Sequence, residues 1–145
     1  MKELRTEIEI QASAERVWGL LTDFASFPQW NPFIRWAKGE ARLGARLEIR
    51  IQPSGAGGIT FKPTVIKLET MRELRWLGRL VMPGLFDGEH IFNIEPLGQQ
   101  HVRFTQREIF RGLFVPLLAR DLDTNTLRGF KEMNGALKAR AEQNT

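Results

Sequence analysis

Two changes of hydrophobic period divide this chain, and the second restricts the fold most. Between Phe33 and Arg111 apolar and polar residues alternate with period two, the pattern of strands with one buried face. From Pro116 the spacing becomes three to four, and Leu118, Leu122, Thr126, Gly129, Met133 and Leu137 form one stripe. Arg120, Asp123, Arg128, Glu132 and Lys138 lie mostly off it. The spacing predicts a helix over 116–140, roughly 37 Å long at 1.5 Å per residue, with Pro116 in its first turn. Its stripe must be buried, and the concave face of a sheet is the one other large apolar surface available. The expectation is an α+β chain whose curved antiparallel sheet wraps around a long C-terminal helix.

Ahead of that sheet, residues 3–11 alternate Leu4, Thr6, Ile8 and Ile10 against Glu3, Arg5, Glu7 and Glu9, a half-buried strand. Ser13 stands where an N-cap belongs and Glu15 falls in the first turn. Val17, Leu20, Leu21 and Phe24 follow at helical spacing, so a short helix runs to about Thr22. The aromatic segment 24–32, broken by Pro28 and Pro32, holds one more helical turn at most. Strands are expected over 33–38, 46–52, 59–69, 72–81, 86–95 and 101–111, with a turn at 53–58 and a hairpin loop at 97–100. The order is strand, helix pair, six strands, long helix: about seven strands in a single domain over 1–145.

The chain has no cysteine, which removes disulfides, thiolate catalysis and zinc–thiolate sites together. No apolar run approaches the roughly 18 residues of a membrane span. The charged start Lys2-Glu3-Leu4-Arg5 lacks a signal-peptide core. A cytoplasmic location without stable membrane insertion is expected. The net charge of +4 raises nucleic acid as a partner, a point decided by where the arginines sit.

Several segments carry a likeness to a known family. They are Ile10-Gln11-Ala12-Ser13-Ala14-Glu15-Arg16-Val17-Trp18, the run 24–32, Leu74-Arg75-Trp76, the run 84–92 and Arg128-Gly129-Phe130-Lys131-Glu132-Met133-Asn134. With the element order, they resemble the START/Bet v 1-like (SRPBCC) superfamily, in particular its bacterial polyketide cyclase/dehydrase-like members. The resemblance covers essentially the whole chain. It implies a helix-grip fold with a deep apolar cavity between sheet and C-terminal helix, and neighbouring first and last strands. The charges agree: an acidic outer face on the first strand would lie beside His101, Arg103, Arg107 and Arg111 on the last. The superfamily hosts carriers, receptors, cyclases and chaperone activators, so its fold does not fix a function.

The hairpin 86–111 carries the candidate chemistry. Pairing about its turn sets Ile94 opposite Phe104, Phe92 opposite Gln106 and His90 opposite Glu108, and the apolar members mark this face as inward. His90, Gln106 and Glu108 would then be polar groups in an apolar cavity, with His90 and Glu108 close enough to hydrogen-bond. Such a pair either moves a proton, orients a ligand carbonyl or hydroxyl, or satisfies itself structurally. Trp76, Phe92, Phe104, Phe110, Phe130 and Met133 are candidate cavity wall, and each would serve equally as core. Asn125 and Asn134 lie on the long helix, close to its stripe but not in it. Trp30 and Phe33 either lid one mouth of the cavity or plug the core.

Other motifs carry nothing. Gly55-Ala56-Gly57-Gly58 precedes a strand and lacks a following Gly-Lys-Ser/Thr, so it is a turn and not a phosphate loop. His90 and His101 have opposite parity and should face opposite sides, which argues against a metal site; no cofactor is expected. Glu95 opposes Arg103 and Glu89 lies diagonal to Arg107 and Arg111, so the outer face is a mixed-sign lattice and nucleic-acid binding is not expected. The leading expectation is a carrier for a lipophilic ligand such as a fatty acid, isoprenoid or polycyclic aromatic. The alternatives are a polyketide cyclase/dehydratase-like enzyme using His90 and Glu108 as proton relay, and an accessory interaction module. A homodimer is compatible with all three.

Overall fold

Strict alternation makes the N-terminal residues β1 (Lys2–Ile10), its Leu4, Thr6 and Ile10 buried and its glutamates exposed. The structure is a computed structural model that describes residues 1–80 and 82–143. Val81, the expected end of the strand at 72–81, lies outside the described residues. Ser13 caps α1 (Ala14–Thr22), its side chain accepting from the Arg16 N–H at 3.0 Å. The aromatic segment then makes two short turns where at most one is expected: a 3₁₀ turn Phe24–Ser26 and α2 (Phe27–Trp30). Pro28 sits in the first turn of α2, where a missing N–H costs nothing.

The strands are β2 (Ile34–Lys38), β3 (Glu48–Ile51), β4 (Ile59–Phe61), β5 (Thr64–Glu69), β6 (Glu73–Leu80), β7 (Phe86–Gly98) and β8 (His101–Arg111). Eight strands among the described residues therefore replace about seven. The expected strand 59–69 divides because Pro63 has no N–H to donate and a fixed φ. Its first half pairs in the sheet β2-β3-β4 and its second half in the sheet β1-β8-β7-β6-β5. Residues 44–47 run beside 63–65, with bonds such as Leu47 N–H to Pro63 C=O at 2.8 Å, and join the two sheets. The first and last strands are neighbours, as the resemblance implies.

The C-terminal helix starts at Val115, one residue before Pro116, and is not uniform. It runs as α3 (Val115–Asp121), a π-helical turn Leu122–Thr126, and α4 (Leu127–Ala141). Lying in the grip of the sheet, α4 is covered over a wide arc, so Phe130 and Asn134 are buried beside Met133 and Leu137. Asn134 thus belongs to the inward face, a correction to its expected place beside the stripe.

Three adjacent inward rows of the large sheet lie nearest the polar groups. The middle one is Leu4, Glu108, His90, Trp76 and Val65; on one side lies Thr6, Gln106, Phe92 and Leu74; on the other Lys2, Phe110, Gly88 and Gly78. On the outer face Glu3 meets Arg107 at 3.1 Å, Glu9 meets His101 at 2.9 Å and Glu95 meets Arg103 at 3.1 Å. Glu89 pairs with Arg75 at 3.0 Å, not with Arg107 or Arg111. Exposed pairs of this kind contribute little each, about 0–1 kcal/mol.

Glu73 is the exception on that face, being buried. Burial acts to raise its pKa, but the Asn93 amide at 2.7 Å, Arg75 at 2.9 Å and Lys67 at 3.4 Å together outweigh burial and hold it below the ordinary 4.5. A depressed folded-state pKa adds stability above the ordinary value, and that stability is lost as pH falls below it. Glu73→Gln is expected to flatten the acid limb of a plot of melting temperature against pH. A curve shifted down with an unchanged acid slope would contradict this assignment.

Candidate functional site

The middle rows of the sheet place a chain of polar groups under the C-terminal helix. Thr6, His90, Gln106 and Asn134 are all buried, Gln106 with no exposure at all. Their hydrogen bonds have only one consistent direction. The Phe130 carbonyl can only accept, so the Gln106 atom 3.4 Å from it is the amide Nε2, which also donates to Asn134 Oδ1 at 2.8 Å. Asn134 Nδ2 donates to Thr6 Oγ1 at 2.8 Å, and the Thr6 hydroxyl donates to the Gln106 carbonyl at 3.0 Å. Gln106 Oε1 must therefore accept from His90 Nε2 at 2.9 Å, which fixes the proton on Nε2.

His90 Nδ1 then faces Glu108 Oε1 at 3.3 Å. The structure thus brings His90, Gln106, Glu108 and Asn134 into one connected path. The imidazole itself is boxed by aromatic rings: Phe92 stacks on it at 4.4 Å, Phe130 lies at 5.0 Å and Trp76 at 5.5 Å. Rings on several sides fix its orientation, so its Nδ1 stays directed at Glu108.

Glu108 ends the path at a cavity of about 440 Å³. The cavity lies between the far end of the sheet, the 53–59 loop and the π-helical turn, and Leu118, Asp121, Leu122, Asn125 and Thr126 border it from the helix. Its floor is made by side chains that are missing. Gly78 and Gly88 are directly paired on β6 and β7. A Cβ on Gly88 would overlap Glu108 Oε2, and one on Gly78 would come within 2.9 Å of the Phe61 ring. Phe86 and Phe110 stack at 5.6 Å to form one wall. The opposite loop is pinned to the helix: Ser54 donates to Glu132 at 2.8 Å, and Arg128 donates to Ser54 and to Asn125.

Of the residues expected at a cavity, Glu108, Phe110 and Asn125 border this one. Trp76, Phe92, Phe104, Phe130 and Met133 do not; they pack against one another as core. Phe33 is buried against Phe130 at 5.6 Å and fills the space that Gly129 leaves, and Trp30 packs edge-on to Phe27 at 5.3 Å. Neither borders the cavity, so neither lids it. His90 and His101 lie on opposite faces, as their parity requires. The sequence reading missed Gly78, Gly88 and the acid Asp121. An isolated glycine inside a strand is a recognised sign of close approach, and two in register were the available signal.

A second hollow lies between the start of α1 and the end of α4, but its polar groups are engaged with one another. Arg16 bonds the carbonyls of Arg140 and Ala141, and the Gln11 N–H bonds Glu142 at 2.8 Å. Among the described residues no helix is long and apolar enough to cross a membrane.

Comparison with known proteins agrees with this architecture. Residues 1–142 match the model of a family described as polyketide cyclase/dehydrase and lipid transport. No curated protein matches the chain. Among solved structures, a START superfamily protein from Mycobacterium smegmatis is similar over 99% of both chains, at 25% identity and a TM-score of 0.74. The Zhui aromatase/cyclase from a Streptomyces species superposes with a TM-score of 0.75 at 15% identity, over 97% of this chain and 93% of that one. A norcoclaurine synthase mutant from Thalictrum flavum, in complex with a transition-state analogue, gives a TM-score of 0.71 at 13% identity, over 97% and 93%.

Proposed function

This chain belongs to the polyketide cyclase/dehydrase and lipid transport family, and from that premise we propose that it binds a lipophilic small molecule in the cavity beneath the π-helical turn. One observation carries the proposal: an apolar hollow of about 440 Å³ into which a single inward row of the sheet delivers one carboxylate, Glu108. Ligand sites are typically apolar pockets of about 300–1,000 Å³ with a few placed polar groups, and this hollow has that size and makeup. The apolar wall supplies affinity through burial, while Glu108 fixes orientation by a hydrogen bond.

Native mass spectrometry of the purified protein, followed by organic extraction, tests the proposal. A stoichiometric adduct of a lipophile, released by solvent, is the expected result. A protein that stays unliganded both as purified and after incubation with polycyclic phenols, sterols and isoprenoid alcohols would contradict it.

A catalytic reading is favoured by the directed path from Asn134 through Gln106 and His90 to Glu108. The His90–Glu108 pair stands next to the cavity, placed to pass a proton to or from a ligand carbonyl or hydroxyl. The aromatase/cyclase and the norcoclaurine synthase named above share this fold. His90→Ala separates the two: a cyclase loses about 10²-fold or more in turnover, whereas a carrier keeps most of its affinity.

A further inference from the structure

The cavity has one sign of charge. Among the described residues that border it, the ionisable side chains are Glu108 and Asp121, and no lysine, arginine or histidine joins them. The polar atoms they turn to an occupant are acceptors. Glu108 Oε1 faces His90 Nδ1 at 3.3 Å and is turned away from the cavity's open side. Oε2, lying over the hollow of Gly88, offers lone pairs. Asp121 Oδ1 accepts from Asn125 Nδ2 at 2.6 Å, and Asn125 Oδ1 is taken by Arg128 at 2.9 Å. Arg128, on the same helix, is held by Ser54 and Asn125 and does not border the cavity.

A ligand carboxylate entering here would leave water to meet two acids and no counter-charge, whereas a hydroxyl or ammonium would find an acceptor at the apolar floor. We infer that the cavity takes a neutral or cationic hydrogen-bond donor on a rigid apolar frame, a phenol, alcohol or amine, and excludes carboxylates, free fatty acids among them. This inference rests on the binding reading above and narrows its ligand class. It also removes the fatty acid from the ligands expected from sequence.

Isothermal titration with naphthol, naphthylmethylammonium and naphthoate tests it, since the three share one ring system and differ in the head group. Naphthol and the ammonium compound are expected to bind at least about tenfold more tightly than naphthoate. Glu108→Gln, which replaces an acceptor-only group by one that also donates, is expected to close most of that gap. If Glu108→Gln does not fold, Asp121→Asn on the exposed helix surface carries the same comparison, with a smaller narrowing expected. Naphthoate binding as tightly as naphthol, in competition with it, would overturn the inference and leave the binding reading standing. Failure of all three compounds to bind would remove both.

Discussion

Gln106→Leu is expected to lower stability by about 2–4 kcal/mol, a large part of the roughly 5–15 kcal/mol typical of a folded domain. Leucine has nearly the volume of glutamine and buries well, so the loss is not one of packing. It comes from groups left without partners where water cannot reach. His90 Nε2–H loses its acceptor and Asn134 Oδ1 loses its donor, in a region where Gln106 has no exposure. Each buried orphan costs about 1–3 kcal/mol. The melting temperature should fall by roughly 10 °C. Adding Asn134→Leu should recover part of the loss, because the orphaned Asn134 oxygen disappears with it. Thr6 would still donate to the Gln106 carbonyl, a backbone group that the substitution leaves in place. A double-mutant cycle that proves additive within about 0.5 kcal/mol would mean that the polar chain contributes no cooperative energy.

Gly88→Leu is the second substitution with a large expected effect, and it acts on binding instead of folding. Gly88 sits near the start of β7, opposite Phe110 on one side and Gly78 on the other, and faces inward. A leucine there points its branches into the cavity and displaces Glu108 Oε2. The displaced carboxylate sits at the end of a flexible side chain beside an open cavity, so the strand can keep its backbone. Leucine also fits a strand better than glycine does. The melting temperature should therefore stay within about 5 °C of the parent. Affinity for a naphthol-sized ligand should fall by at least about 100-fold, or about 2.7 kcal/mol. Gly135→Ala, on the exposed face of α4 with open space around it, should change binding by neither measure.

The two substitutions also mark how far the sequence could be read. Pairing within the 86–111 hairpin was legible to the residue: Ile94 with Phe104, Phe92 with Gln106 and His90 with Glu108. A period-two pattern with one short turn admits a single register that buries every apolar member. The same reasoning overran at 59–69, where one imino acid, Pro63, interrupts a pattern that hydrophobicity alone shows as continuous. It also treated the C-terminal helix as uniform, since a π-helical turn adds a residue without any change in side-chain type. The position of the cavity was the least legible feature. Trp76, Phe92 and Phe104 are as well suited to line a hollow as to fill one, and side-chain identity does not say which. The space exists where side chains are absent, at Gly78 and Gly88, and that requires knowing that the two glycines are partners across adjacent strands.

Heteronuclear NMR of the parent protein and of Gly88→Leu, each titrated with naphthol, tests ligand binding in this cavity most directly. In the parent, amide shifts should concentrate at Gly78, Gly88, Glu108, Phe110, Leu122 and Asn125, and in Gly88→Leu they should vanish at the same concentrations. Shifts that gather instead around Ser13, Arg16 and Glu142, or that persist unchanged in Gly88→Leu, would contradict the assignment of the cavity as the binding site.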